Sequence, residues 1–282
     1  MTDYFVEFDD TGVTLRVAVE AVLHEGRSDY QDLLVFESPM FGRTLALDGI
    51  IQTTERDEAI YHEMLVHVPM LAHGAARRVL IIGGGDGGAL REVLKHPVEQ
   101  VTMVELDQAV VETSKRFLPS LHAGGFEDPR LTLLFADGVK FAAESAERFD
   151  VILVDSTDPL PGPGEVLFSE AFYGDCRRLL NPGGILITQF GVPFLYPEAV
   201  RGAFGRLAGS FADATLYIVT LPSFAGGYMA FGWASDDTVA RQHTTETLTA
   251  RYASAGLDTR AYTPAFHQAA FVLPKNIAAL MV

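Results

Sequence analysis

Asp155 and Asp158, which close the run Asp150-Val-Ile-Leu-Val-Asp-Ser-Thr-Asp158, are the side chains of this sequence best placed to do chemistry. Two carboxylates this close can bind a cationic amine and accept its proton. A free carboxylate near pKa 3.9 is a weak base for an ammonium near 10. Burial would narrow that gap from both sides, and a good leaving group held nearby would contribute further. With Asp86 the pair could instead hold Mg²⁺, but octahedral Mg²⁺ normally comes with substrate phosphates. The glycine run beside them is not built for phosphate, so no metal is expected.

That run is Arg78-Val-Leu-Ile-Ile-Gly-Gly-Gly-Asp-Gly-Gly88. It reads as a buried strand, a glycine turn and a helix opening at Ala89, a form suited to a nucleotide because the backbone can approach the ligand closely. A phosphate loop should not aim a carboxylate at its ligand. Asp86 therefore points to a ligand with a cationic end and no pyrophosphate, or else it only caps the helix. About twenty residues on, Val101–Asp107 is a second strand ending in acids. Glu105 is placed to hold ribose hydroxyls, and Asp107 to start the next helix. A third strand, Leu131–Gly138, ends in Asp137-Gly138. Four successive strands finish in carboxylates, at the edge where an open parallel sheet binds its ligands. Helix capping would explain any one of them. It does not explain Asp155 and Asp158, which precede Pro159-Leu-Pro-Gly-Pro163.

The elements that must position these residues follow from pattern. Residues 1–53 carry β-like runs at Val13–Leu23, Asp32–Glu37 and Phe41–Leu47, with Asp48-Gly49 as a hairpin turn before Ile50-Ile51-Gln52. They are read as a small antiparallel β-domain, with residues 54–282 as the second domain. Glu55–Ala72 shows a helical apolar stripe at Ile60, Met64, Leu65, Val68 and Leu71. On that helix His62 faces either the site or solvent. From residue 78 strands alternate with helices, so the expected class is α/β, a Rossmann-like, doubly wound sheet. Helices are expected near Ala89–Lys95, Gln108–Leu118, Gly138–Ser145, Ser169–Leu180 and Glu198–Gly209, then late strands at Ala214–Thr220 and Met229–Ala234. Asn181-Pro182-Gly183-Gly184 stops a helix before the strand Ile185–Phe190.

Composition narrows the function. Thirty-seven acidic residues against 21 basic ones give a formal charge of −16, which argues against nucleic acid and favours cationic ligands. A single cysteine excludes an intrachain disulfide and suits a reducing compartment. No apolar run approaches a membrane span, and Met1–Asp10 is not read as a signal peptide, so the cytoplasm is expected. There is no Gly-x-Ser-x-Gly elbow and no His-Glu-x-x-His. Aromatics such as Phe190, Phe194, Tyr196, Phe224, Tyr228 and Trp233 suit a core, though an amine site would use some of them for cation–π contact.

Taken together, Gly83–Gly88, Leu47-Asp-Gly-Ile-Ile-Gln-Thr-Thr-Glu-Arg-Asp-Glu58, Tyr61-His-Glu-Met64 and Asp155-Ser-Thr-Asp-Pro159 resemble the spermidine synthase (polyamine aminopropyltransferase) family. Tyr30-Gln31, Gly226–Ala234 and Pro264–Pro274 extend the resemblance over nearly the whole chain. It implies an N-terminal β-domain, a methyltransferase-type domain, and a homodimer or homotetramer. It implies transfer of the aminopropyl group of decarboxylated S-adenosylmethionine to putrescine, giving spermidine and methylthioadenosine, with the donor as co-substrate and no cofactor. By motif position Asp155 would be the base. Asp86 would bind the donor ammonium, Glu105 the ribose and Asp137-Gly138 the adenine. Gln31 and Gly162-Pro163 would hold the nucleoside, and Tyr61, His62, Asp155 and Asp158 the diamine. Ordinary S-adenosylmethionine carries a carboxylate that Asp86 would repel.

The sequence departs from the family at two places. Asp158–Pro163 carries one extra residue, and Phe224 stands where a tyrosine is usual, removing a hydrogen bond worth on the order of 1 kcal/mol. The same chemistry on agmatine, cadaverine or a longer polyamine therefore stays open, as does a non-catalytic nucleoside- or polyamine-binding protein.

Overall fold

The computed structural model describes residues 3–8, 11–156, 158–160 and 163–282, without the side chain of Pro163. Its N-terminal strands are β1 (Asp3–Phe8), β2 (Thr14–Val19), β3 (Ala21–Arg27), β4 (Asp32–Ser38), β5 (Gly42–Leu47) and β6 (Ile50–Thr54). β1 and β2 form an antiparallel pair, and β3-β4-β5-β6 an antiparallel meander. The run Val13–Leu23 is therefore two strands in two sheets, divided at Glu20. The meander packs on both faces. Val17, Phe36, Ala46 and Ile51 are buried on one side. On the other, Leu33, Val35 and Leu45 meet Val110, Leu118 and Leu121 of the following α/β unit.

Helix α1 (Glu58–His73) connects the meander to the main sheet. It begins three residues later than its apolar stripe suggests. The Asp57 carboxylate is spent on Thr54 Oγ1 (2.6 Å) and the Ser223 amide (2.8 Å), which holds Thr54–Asp57 as a turn. Nor is the stripe one-sided. Glu58, His62, Glu63 and His67 are buried along with the apolar residues.

The main chain order is then β7 (Arg78–Gly83), α2 (Gly88–Leu94), β8 (Gln100–Glu105), α3 (Gln108–Phe117), α4 (Pro119–His122), β9 (Leu131–Phe135), α5 (Gly138–Glu144), β10 (Phe149–Asp155), α6 (Glu170–Leu179), β11 (Leu180–Gln189), α7 (Pro197–Ser210), β12 (Asp213–Thr220) and β13 (Tyr228–Ser235). Three short helices close the chain: α8 (Thr245–Ala255), α9 (Pro264–Ala270) and α10 (Lys275–Ala278). The seven strands lie in the order β12-β13-β11-β10-β7-β8-β9, parallel from β11 to β9, with β13 antiparallel to its neighbours. Because Val79–Ile82 of β7 and Val151–Val154 of β10 are apolar at every position, alternate side chains feed two cores. Val79, Ile81 and Leu153 pack under α1 on one face, and Leu80, Ile82 and Ile152 under α6 on the other. Buried parallel strands read as continuous apolar runs for this reason. The chain winds outward from β7 through β8 to β9, then returns to β10 on the other side. The crevice for a ligand is thus expected where β7 and β10 end side by side.

Candidate active site

At that switch point Gly83 sits opposite Asp155 in the strand register, and the Gly84 amide donates to Asp155 O at 2.9 Å. A Cβ on Gly83, whose φ is +83°, would lie 2.1 Å from the same carbonyl. Only glycine lets the loop turn this close to β10. The Asp155 carboxylate lies over Gly84 and accepts Tyr61 OH at 2.7 Å. Burial, reinforced by the charge of Asp86, pushes its pKa up to about 6 against the opposing pull of His62 and the Tyr61 hydroxyl. Burial and the neighbouring acids likewise raise Tyr61.

Asp86 is not spent on the helix opening alone. Its Oδ1 accepts the Gly88 amide at 2.8 Å, as a helix-opening acid should, while Oδ2 lies 3.3 Å from His62 Nε2. His62 faces inward, at 2% exposure. A Cβ on Gly88 would lie 2.3–2.6 Å from three atoms of its ring, so the loop's last glycine exists to let the imidazole in. On the far side Nδ1 is 2.8 Å from Glu58 Oε2. Burial opposes charge on the imidazole, but Asp86 and Glu58 outweigh it and hold the pKa well above the usual value.

Asp158 stands beyond Asp155, packed over Gly191, and accepts Gln189 Nε2 at 2.5 Å. Burial raises its pKa, and Gln189 opposes the rise. Gln189 Oε1 is buried without a partner among the described residues. Glu105 at the end of β8 lies against Gly85 and accepts the Asp107 amide at 2.9 Å. Burial lifts its pKa to about 7; the amides of Asp107 and Leu106 work against this, and the charges of Asp107 and Asp155 add to it.

Gln31 reaches this edge indirectly. Its Nε2 donates to Asp107 Oδ2 at 2.9 Å beside Ser28 Oγ at 2.6 Å, while Asp107 Oδ1 caps α3 at the Ala109 amide. Asp137 is exposed, and its carboxylate caps α5 through the amides of Val139 and Lys140. Gly138 passes so close to Ile82 that a Cβ would fall 2.5 Å from it. Pro163 opens a 3₁₀ turn at Pro163–Phe168, but its side chain and Gly162 lie outside the described residues, as does Pro161 of the lengthened loop. Phe224 is half-buried against the core under α1.

Tyr61, His62, Asp86 and Asp155 are thus in direct contact, with Asp158 and Glu105 along the same edge. Sequence reasoning passed over four groups. Glu58 precedes His62 by four residues on one helix, a spacing that pairs side chains. Gln189 ends a strand as the acids do. Leu106 and Phe135, half-exposed beside Glu105, offer apolar surface at the strand ends; their exposure is not visible in a pattern of buried strands.

Residues 58–243 match the spermine/spermidine synthase domain, and residues 4–55 the spermidine synthase tetramerisation domain. The chain belongs to the spermidine synthase family. The polyamine aminopropyltransferase of Pseudomonas syringae pv. tomato is 54% identical over 94% of this chain and 93% of its own. An enzyme of the same name from Escherichia coli (strain HS) is 51% identical over 92% and 90%. Among solved structures, spermidine synthase in complex with the transition-state analogue AdoDATO superposes with a TM-score of 0.93 at 35% identity, covering 99% of this chain and 94% of its own. Spermidine synthase from Thermotoga maritima gives a TM-score of 0.90 at 33% identity over the same shares. In this family member no helix among the described residues is long and apolar enough to cross a membrane.

Proposed function

We infer that this protein is a polyamine aminopropyltransferase that moves the aminopropyl group of decarboxylated S-adenosylmethionine to putrescine. The amine nitrogen attacks the aminopropyl carbon bonded to sulfur, and a new C–N bond forms. The C–S bond breaks with its electron pair going to sulfur. The products are methylthioadenosine, now a neutral thioether, and spermidine. The proton lost by the attacking nitrogen goes to Asp155. No cofactor enters the balance, because the sulfonium is itself the leaving group.

The observation that carries this reading is a half-buried carboxylate at the strand edge, held by Tyr61 at 2.7 Å, flanked by further acids, and with its pKa raised to about 6. Such a base accepts a proton from an amine far more readily than an exposed carboxylate. Asp86 would receive the donor ammonium, and its charge disfavours the carboxylate of ordinary S-adenosylmethionine. Glu105 would accept the ribose hydroxyls, and Leu106 and Phe135 would face the adenine near Asp137-Gly138. Gln31, held by Asp107, and Pro163 would close over the nucleoside. Tyr61, His62 and Asp158 would line the acceptor's path, with Asp158 and Gln189 toward its distal ammonium. We place the enzyme in the cytoplasm and read residues 1–53 as a separate β-domain through which chains associate, as a homodimer or homotetramer.

Incubation with decarboxylated S-adenosylmethionine and an equimolar mixture of putrescine, cadaverine, agmatine and spermidine, followed by mass spectrometry, tests the reading. Spermidine and methylthioadenosine should dominate. Phe224 favours keeping a second acceptor in view, and a dominant adduct of another amine would reassign the substrate. Donor binding without any product would make the protein a binding protein.

A further inference from the structure

His62 bridges two carboxylates. Nδ1 lies 2.8 Å from Glu58 Oε2, and Nε2 lies 3.3 Å from Asp86 Oδ2. Nδ1 hydrogen-bonds to Glu58 and Nε2 approaches Asp86 at ion-pair distance; an ionised carboxylate only accepts, so the arrangement favours an N–H on both nitrogens. A neutral imidazole has one N–H and would turn a lone pair toward one of the acids. Gly88 lies against one face, and Tyr61 packs edge-on with ring centres 5.2 Å apart.

Glu58 is 4% exposed and sits outside the edge that would touch substrate. It is fixed from behind by Arg91 NH2 at 2.7 Å and by Arg260 NH1 at 3.1 Å on its other oxygen. Arg91 is anchored in turn by Glu92 at 2.6 Å. The groups facing His62 are thus Glu58 and Tyr61 from its own helix, Asp86 from the glycine loop and, through Tyr61, Asp155 from β10. Arg91 from α2 and Arg260 from the C-terminal segment stand behind Glu58.

We propose that Glu58 is a positioning residue: it locks His62 as an imidazolium against Asp86 and so sets the charge felt by Asp155. This rests on the aminopropyl transfer reading only for its effect on rate. The imidazolium partly neutralises Asp86, which otherwise pushes the protonation of Asp155 upward. Without the Glu58 charge, the ring is held as an imidazolium by Asp86 alone and gives up its proton more readily. Asp86 and Asp155 are then less compensated, and Asp155 holds its proton to higher pH.

The test has two readouts. ¹⁵N-imidazole NMR of the intact enzyme, with the His62 signal assigned by its loss in His62→Asn, should show His62 doubly protonated from pH 6 to above pH 8. In Glu58→Gln it should titrate within that range. In parallel, the acidic limb of kcat/KM in Glu58→Gln should move up by about one pH unit, and Glu58→Asp should recover part of the shift. A packing defect lowers activity but leaves the limb in place. An ordinary titration of His62 in the unaltered enzyme overturns the proposal whether or not Glu58→Gln folds. So does a Glu58→Gln enzyme with unchanged His62 titration and pH profile. If the unaltered enzyme transfers no aminopropyl group while His62 stays charged only when Glu58 is present, the reaction reading falls and the lock on His62 stands.

Discussion

Replacing Asp155 by Asn separates the carboxylate's chemistry from its shape. Asn keeps an oxygen to accept Tyr61 OH, which now sits 2.7 Å from Asp155 Oδ1, so the site's geometry persists. What disappears is the base. Against an amine near 10, a carboxylate at its ordinary value faces a gap of about six pH units; at a pKa near 6 the gap is about four. Burial of Asp155 thus removes about 3 kcal/mol from the proton transfer. Losing a positioned base should lower kcat by about 10²- to 10⁴-fold. The ratio of kcat/KM for the unaltered enzyme to that of Asp155→Asn isolates this residue, because the amine's own ionisation is common to both. With a pKa near 6 the ratio should fall about tenfold from pH 7.5 to pH 5. Stability should move the other way. An acid whose folded pKa is raised costs stability as pH rises through the window from its unfolded to its folded value, here about 4 to 6. At pH 7.5 the cost is up to about 3 kcal/mol, so Asp155→Asn should melt several degrees higher there and equally below pH 4. A variant that keeps more than a tenth of the turnover, or a ratio flat in pH, would refute the assignment of the base.

Gly88→Ala drives a methyl into the His62 ring at 2.3–2.6 Å, and the ring is pinned by Glu58 and Asp86. Thermal melting should register a loss of about 2 kcal/mol or more, with activity abolished. Asp107→Ala removes the α3 cap and the contacts to Ser28 and Gln31. It should cost about 2 kcal/mol and raise the donor KM more than it lowers kcat. Burial, with the charges of His67 and Lys95 and against the pull of Glu92, lowers His96 to about 3; burial and His243 lower His267 to about 4. Both are neutral when folded, so stability should drop as pH falls below about 6.5, and His267→Gln should flatten the melting-temperature profile between pH 6.5 and 4.

The site was legible where a chemical type coincided with a strand end. Asp86, Glu105 and Asp155 stand at the edge their positions foretold, because a parallel sheet leaves its strand termini in one row. Asp137 shows the weakness of that logic. Its Oδ1 caps α5 through two amides, as Asp86 Oδ1 accepts the Gly88 amide, so position alone does not tell ligand from cap. What the sequence hid are contacts between distant segments. The meeting of Gln31 with Asp107 spans 76 residues and that of Tyr61 with Asp155 spans 94. The start of α1 moved for the same reason, since the Ser223 amide that holds Asp57 lies 166 residues away. Local propensity carries no trace of such partners, and only Glu58, four residues from His62, lay within reach of a local rule.

The same acid edge should make donor binding release protons. Asp155 near 6 and Glu105 near 7 are partly protonated in the free enzyme at pH 6.5. Both values are high because burial and like charges oppose ionisation. A donor that brings a sulfonium and an ammonium to this edge supplies the missing opposite charge, and ribose hydroxyls donate to whichever acid holds them. Both effects favour the ionised acids, so their pKa values fall on binding and protons leave. The binding enthalpy measured by calorimetry at pH 6.5 should therefore change with the ionisation enthalpy of the buffer, by roughly one proton per site. At pH 8.5, where both acids are already ionised, the dependence should vanish. Methylthioadenosine has the ribose but neither positive charge, so it should release fewer protons than the donor at pH 6.5. Equal release by the two would place the effect on the ribose and Glu105 alone, and buffer-independent enthalpies at pH 6.5 would mean that the edge is already ionised and that burial does not poise Asp155 as a base.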